Sequence, residues 1–170
     1  NFENKIEIKG LNFSHTGRNI LFEDVNLEIK KNSFVGIVGK TGSGKSTLLN
    51  ILLGLINTDN GKVLIDNIEI ENIKTNWQNN ISYVPQNTYL FDDTIKENIL
   101  FGDEINEERL LSVLRSVQLT NFVNNLPQKL ETIVGNEGKK ISGGERQRIG
   151  IARALYKNKN VLILDEITSN

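Results

Sequence analysis

Apolar and polar residues alternate twice near the start of the chain, at Ile6, Ile8 and Leu11 and again at Val25, Leu27 and Ile29. A period of two lines one face of a strand, so both stretches predict half-buried strands. Gly17, Arg18 and Asn19 predict a turn between them. Phe34-Val35-Gly36-Ile37-Val38 is continuously apolar and predicts a short strand buried on both faces. A glycine-rich loop follows, then a helix from about Lys45 to Leu53. Gly61 opens a second antiparallel piece, in which Val63 and Ile65 turn at Asp66-Asn67 into Ile68 and Ile70.

Ile81 to Val84 predicts a further strand, stopped by Pro85. Thr94-Ile95-Lys96-Glu97 has the form of a capping box, with Thr94 as N-cap and Glu97 reaching back. Helical patterns then run from about Glu107 to Val117 and from Asn121 to Leu126. Ser142-Gly143-Gly144-Glu145 is a second capping box, opening a helix to about Leu155. Val161 to Leu164 predicts a buried strand that delivers Asp165 and Glu166 at its end. The order is a β-rich part, an α/β part, a helical block and one final strand. The chain contains no internal repeat, linker or low-complexity tract.

Composition narrows the function classes. The chain has 170 residues, 38% hydrophobic and 24% charged, enough to bury a core without staples. Its 20 basic and 21 acidic side chains give a net charge of −1. That balance offers no global electrostatic case for nucleic acid or an anionic membrane. The absence of cysteine excludes disulfides and thiolate metal sites. No apolar run approaches the roughly 20 residues needed to span a bilayer. There is no methionine, at position 1 or elsewhere. This reads as a segment of a longer protein, or as a chain trimmed of its start residue.

Gly39-Lys40-Thr41-Gly42-Ser43-Gly44-Lys45-Ser46 matches G-x-x-x-x-G-K-[ST] between a predicted strand and a predicted helix. Glycines permit a tight loop whose backbone N–H groups converge on phosphate oxygens. The helix behind it, starting at Lys45, Ser46 and Thr47, points its positive end at the same place. Lys45 supplies charge for the β- and γ-phosphates, and the Ser46 hydroxyl suits Mg²⁺. The strand ending in Asp165 places a carboxylate where it can hold Mg²⁺ through water, and Glu166 can take a proton from an attacking water. Ser142, Gly143 and Gly144 form another glycine-bearing helix N-terminus, suited to an anion or simply to an ordinary capped helix.

Together these residues resemble the ATP-binding cassette family over almost the whole chain. Ile141 to Arg148, I-S-G-G-E-R-Q-R, is similar to the family signature L-S-G-G-Q-R-Q-R, with Glu145 in place of glutamine. Tyr83-Val84-Pro85-Gln86 resembles the Q-loop, whose Gln86 would contact Mg²⁺ and the attacking water. Thr132 to Gly138 resembles the T-x-V-G-x-x-G loop of exporter-type cassettes, and Asn87 to Gly102 has the same exporter character. There Tyr89, Leu90 and Phe91 put apolar side chains in a loop, either as a seat for a membrane-domain helix or as part of the core. Trp77 and the run Arg148 to Tyr156 resemble exporters that flip lipid-linked oligosaccharides.

The resemblance implies an α/β fold: a P-loop NTPase core with an antiparallel β subdomain and an α-helical signature subdomain. The β-rich and P-loop core would take about residues 1–86 and 156–170, and the helical subdomain about 87–155. It implies ATP and Mg²⁺, with Ser46, Gln86 and Asp165 at the metal and Lys45, Gln86 and Glu166 in catalysis. The nucleotide would lie against Gly39 to Thr47 of one cassette and Ser142 to Gly144 of a second, in a homo- or heterodimer. His15 stands where such exporters carry an aromatic residue stacked on adenine; it stacks there or is a solvated loop residue. Partner transmembrane domains, fused upstream, would put the domain at the cytoplasmic face of a membrane (the inner membrane if bacterial), without direct lipid contact. The D-loop aspartate and switch histidine of the family lie beyond Asn170, so the chain alone is expected to bind nucleotide better than it hydrolyses it. A soluble cassette ATPase of DNA repair or translation is the rival reading. The absence of sustained heptads between Gln86 and Ser142 argues against the coiled-coil members of that class.

Overall fold

A computed structural model describes residues 2–14, 20–58, 60–135, 138 and 140–165. The chain divides into two compact units, residues 1–81 and 82–170.

The first unit is built on an antiparallel sheet in the order β2-β1-β3-β4. Its strands are β1 (Lys5–Ser14), β2 (Ile20–Lys30), β3 (Asn60–Ile65) and β4 (Ile68–Glu69). Ile6 faces Ile29 across one ladder and Ile65 across the other; Ile8 faces Leu27 and Val63. Central β1 therefore buries Ile6, Ile8, Leu11 and Phe13, while Val25, Leu27 and Ile29 on the edge strand are half-buried. Gly61 makes the crossing possible. A Cβ there would fall 2.4 Å from the Gly10 carbonyl oxygen, at a φ of +89° that favours glycine. Asp66 and Asn67 both take positive φ, the condition of a type I′ hairpin turn. The Asp66 carboxylate also accepts the N–H groups of Glu3, Asn4 and Lys5 at 2.6, 2.7 and 2.9 Å.

Two expectations fail in this unit. Ile70 does not extend a hairpin strand but begins helix α2 (Ile70–Gln78). The buried partner that decides this is Trp77. Its indole N–H donates to the Leu52 carbonyl at 2.7 Å and its ring meets Phe2 edge-on at 5.8 Å, joining α2 to α1 (Lys45–Leu52). The segment 34–38 is not a strand. Phe34 and Val38 are 97% and 93% exposed, and neither sheet takes the segment as a member. An apolar run states what its side chains favour, but a strand exists only where a neighbour satisfies its backbone groups.

The second unit pairs β5 (Ile81–Val84) with β6 (Val161–Leu164), and the Asp165 N–H continues the pairing to the Val84 carbonyl at 3.0 Å. The rest is helical: α3 (Ile95–Leu100), α4 (Glu107–Ser116), α5 (Thr120–Asn125) and α6 (Gly143–Tyr156). Leu110, Val113, Leu114 and Val117 form one apolar face of α4 against a core that includes Ile95, Ile99 and Ile149. The buried Tyr156 hydroxyl donates to the Glu104 carbonyl and accepts the Asn106 N–H, at 2.8 and 2.7 Å. Thr94 caps α3 by accepting the Glu97 N–H at 3.0 Å. The Thr94 N–H itself goes to the Asp93 carboxylate at 2.7 Å, the role the sequence assigned to Glu97. Among the described residues no helix is long and apolar enough to cross a membrane.

Candidate functional site

In the first unit the loop Gly39 to Gly44 leads directly into α1. Gly42 and Gly44 have φ of 79° and 93°, in the left-handed region. A side chain at Gly44 would also collide with Phe22 and Leu21, its Cβ falling 2.9 and 3.0 Å from them. As the N-cap of α1, Gly44 offers no side-chain acceptor, and no acidic residue lies in the first turn. The helix start thus carries no side-chain cap and no negative charge against its positive dipole end. Lys45 folds back over the loop and donates to the Gly39 and Lys40 carbonyls at 3.1 and 3.2 Å. Lys40, Thr41, Ser43 and Ser46 are exposed, and Thr47 is half-buried. A concave run of amides beside an ammonium suits an anion, and the approach of a phosphate would exchange two neutral carbonyls for charged oxygens.

In the second unit Asp165 stands half-buried at the end of β6. Its carboxylate accepts the Tyr83 hydroxyl at 3.2 Å. Partial burial, with the negative charge and hydrogen bond of Asp165, raises the Tyr83 pKa and keeps it a donor. Sequence reasoning used Tyr83 only as part of a motif. In β5 Ser82 and Val84 are buried and Tyr83 lies on the open face, a division that the run I-S-Y-V does not announce. Gln86 follows two residues after β5 and is exposed. Gln86 and Gly143 line one cleft of about 220 Å³, with Thr88, Tyr89 and Arg146.

Ser142 caps α6 with the full capping box. The Ser142 N–H donates to the Glu145 carboxylate at 2.9 Å, the Ser142 hydroxyl donates to the same oxygen, and Ser142 Oγ accepts the Glu145 N–H at 3.3 Å. Arg148 lies 3.7 Å from the other Glu145 oxygen. The capping box thus meets the Ser142 and Glu145 N–H groups from within the chain and leaves a carboxylate beside the helix start. Tyr89, Leu90 and Phe91 divide between the two roles open to them. Leu90 is fully buried, whereas Tyr89 and Phe91 are about half exposed. His15, Glu166, and Asn136 and Glu137 of the T-x-V-G-x-x-G loop lie outside the described residues.

A bare helix N-terminus behind a glycine loop, with lysine as its first residue, defines a nucleotide-binding P-loop domain. Residues 22–169 match the family model described as ABC transporter. The chain belongs to the ABC transporter family, as its ABC-type ATPase domain. It is 41% identical over 169 residues to the multidrug resistance-like ATP-binding protein MdlB of Buchnera aphidicola subsp. Schizaphis graminum, covering 98% of this chain and 29% of that protein. It is 41% identical over 170 residues to the ATP-dependent lipid A-core flippase of Francisella tularensis subsp. tularensis, covering 98% of this chain and 28% of that one. Among solved structures, a bacterial Atm1-family ABC exporter with ATP bound superimposes at a TM-score of 0.89, with 33% identity. That match covers 98% of this chain and 29% of the exporter. The chain thus spans less than a third of the length of these relatives.

Proposed function

We propose that this domain binds Mg-ATP and, paired head to tail with a second ABC domain, hydrolyses it to power export or flipping of a substrate across a membrane. The observation that carries the reading is the start of α1 behind the glycine loop, without a side-chain cap or an acid in its first turn, with the Lys45 ammonium held at the mouth of the loop. Lys45 and the amides of Gly39 to Thr47 offset phosphate charge. Ser46, Gln86 and Asp165 are hard oxygen donors of the kind Mg²⁺ takes when phosphates complete its shell. Among the described residues no cluster of three or more His, Cys, Asp or Glu is present. Mg²⁺, when bound, neutralises charge on the β- and γ-phosphates. Glu166 takes the proton of the attacking water or orients it. Ser142 to Gly144 of one domain would close over the nucleotide held by the other, and His15 would stack on adenine.

The exposed aromatic cluster of Tyr89, Phe91 and Phe101 supports a partner in the membrane domains. That pairing would place the domain at the cytoplasmic face of the membrane. The relatives carry different cargo names at nearly equal identity, which supports leaving cargo choice to segments outside this domain. The test is Glu166→Gln in a polypeptide extended past Asn170. The variant is expected to bind ATP normally and to accumulate as a stable dimer in analytical ultracentrifugation. An ATP complex that stays monomeric, or unreduced turnover, contradicts the proposal.

A further inference from the structure

Asn98 is the most buried polar side chain among the described residues, 1% exposed in the middle of α3. Its amide is fully engaged. Oδ1 accepts the Phe91 N–H at 2.9 Å and an Arg153 Nη at 3.1 Å; Nδ2 donates to the Phe91 and Thr94 carbonyls, each at 3.0 Å. Two acceptor and two donor positions are all an amide has. Arg153, from the last turns of α6, adds Nε to the Asn98 carbonyl at 2.8 Å and Nη1 to the Tyr89 carbonyl at 3.0 Å. Its guanidinium also lies 4.8 Å over the Phe101 ring. Among the described residues it has no carboxylate partner, and burial pulls its pKa below the ordinary arginine value. The half-desolvated cation donates only to uncharged oxygens, the Asn98 and Tyr89 carbonyls and Asn98 Oδ1, three hydrogen bonds that an apolar side chain could not replace. What the planar fork adds is geometry.

That geometry links two surfaces. Tyr89 meets Phe91 edge-on and Phe91 meets Phe101 at a tilt, with ring centroids 5.5 Å apart at each step, and all three are exposed. Phe101 is held at a φ of +49°, unfavourable for a bulky residue, while Lys157 donates to its carbonyl at 3.2 Å. The same loop rests directly on α6, where a Cβ at Gly150 would fall 2.5 Å from Thr88 Cγ2. Gly150 and Arg153 share a helix face. Arg153 lies eleven residues along α6 from Ser142, about 16 Å by helix rise. Ile149 and Ala152 between them, and Tyr156 beyond Arg153, are buried in one helical core, so α6 is anchored along its length.

We infer that Asn98 and Arg153 are positioning residues that clamp the aromatic patch to α6, so that a partner seated on the patch sets the position of Ser142 to Gly144. The inference rests on the membrane-domain docking proposed above. Coupling of this kind is reciprocal, so nucleotide closing on Ser142 to Gly144 must also alter the patch.

The test uses the full-length transporter polypeptide in liposomes, carrying Glu166→Gln and a benzophenone photo-crosslinker at position 91. Crosslinking to membrane-embedded peptides is quantified with and without Mg-ATP. With the clamp intact, ATP is expected to change the yield by about five-fold or more, the low end of ordinary allosteric coupling. Arg153→Met and Asn98→Ala should keep the crosslink and the ATP affinity but lose the response, with Arg153→Lys intermediate. If the methionine variant does not fold, Arg153→Lys, which keeps charge and stem without the fork, carries the test alone. Variants that melt normally and still respond fully to ATP overturn the clamp while leaving docking intact. No crosslink to membrane peptides with the clamp intact overturns the docking reading, and the clamp with it.

Discussion

Helices α1 and α6 both begin beside glycines, and they treat the same electrostatic opportunity in opposite ways. At α1 the N-cap is Gly44, the third helical residue is Thr47, and nothing acidic stands in the first turn. At α6 the N-cap is Ser142 and the third helical residue is Glu145, whose carboxylate takes both the Ser142 N–H and its hydroxyl. One N-terminus has neither a side-chain cap nor an acid; the other is capped and keeps a carboxylate of its own beside it. A phosphate arriving at α1 meets a helix start with no side-chain cap and an ammonium. A phosphate arriving at α6 must share the site with a negative charge. In a head-to-tail sandwich this makes α1 the primary nucleotide site and α6 the conditional one.

The largest effect is expected at Lys45. Lys45→Ala removes the ammonium from the α1 site and should lower ATPase turnover of a dimer-competent polypeptide by about 100-fold or more, measured by phosphate release. Thr47→Glu would give α1 the acid that α6 already has. The new carboxylate would set a negative charge beside the phosphate loop, and ATP affinity by calorimetry should fall about ten-fold. Tyr83→Phe removes the donor that holds Asp165. Losing one hydrogen bond to a charged group, about 1 kcal/mol for a partly exposed pair, should raise the Mg²⁺ concentration for half-maximal ATPase about five-fold. Glu145→Gln keeps a capping residue at α6 while removing its charge. The ATP-bound dimer trapped by Glu166→Gln should tighten about two- to five-fold, less at high salt.

The smallest effect on nucleotide is expected at Asp66, a control remote in chemistry from either helix start. Its burial favours protonation, but the three N–H donors from Glu3 to Lys5 outweigh that and hold its pKa below the ordinary aspartate value. A depressed folded pKa gives stability that is fully present above the unfolded value of about 3.9 and is lost as pH falls through the folded value. Asp66→Asn should cost about 1 kcal/mol in urea unfolding at pH 7. The difference should shrink toward pH 3, with ATP affinity unchanged.

Much of this was legible in the sequence, for reasons visible in particular residues. The alternation at Ile6 and Ile8 survives because β1 is paired on both sides, and Leu11, three positions further on, is buried as well through the register irregularity between Ile8 and Leu11. Gly44 and Ser142 were readable because a helix start has a local chemistry. The segment 34–38 was misread because pairing is not local. The contact between Tyr83 and Asp165 spans 82 positions in the chain and has no pattern to announce it. The Asn98–Arg153 clamp was hidden for the same reason, 55 positions apart, with each residue ordinary on its own helix. Hydrophobicity alone could not separate Leu90 from Tyr89 and Phe91, because the core admits one of the three side chains and the other two remain on the surface.

The contrast between the two helix starts is most directly tested by amide hydrogen exchange of the chain at a concentration where it is monomeric, with and without Mg-ATP. The account predicts new protection across residues 42–47 and none across 143–146. Protection at 143–146 with 42–47 unchanged would contradict it.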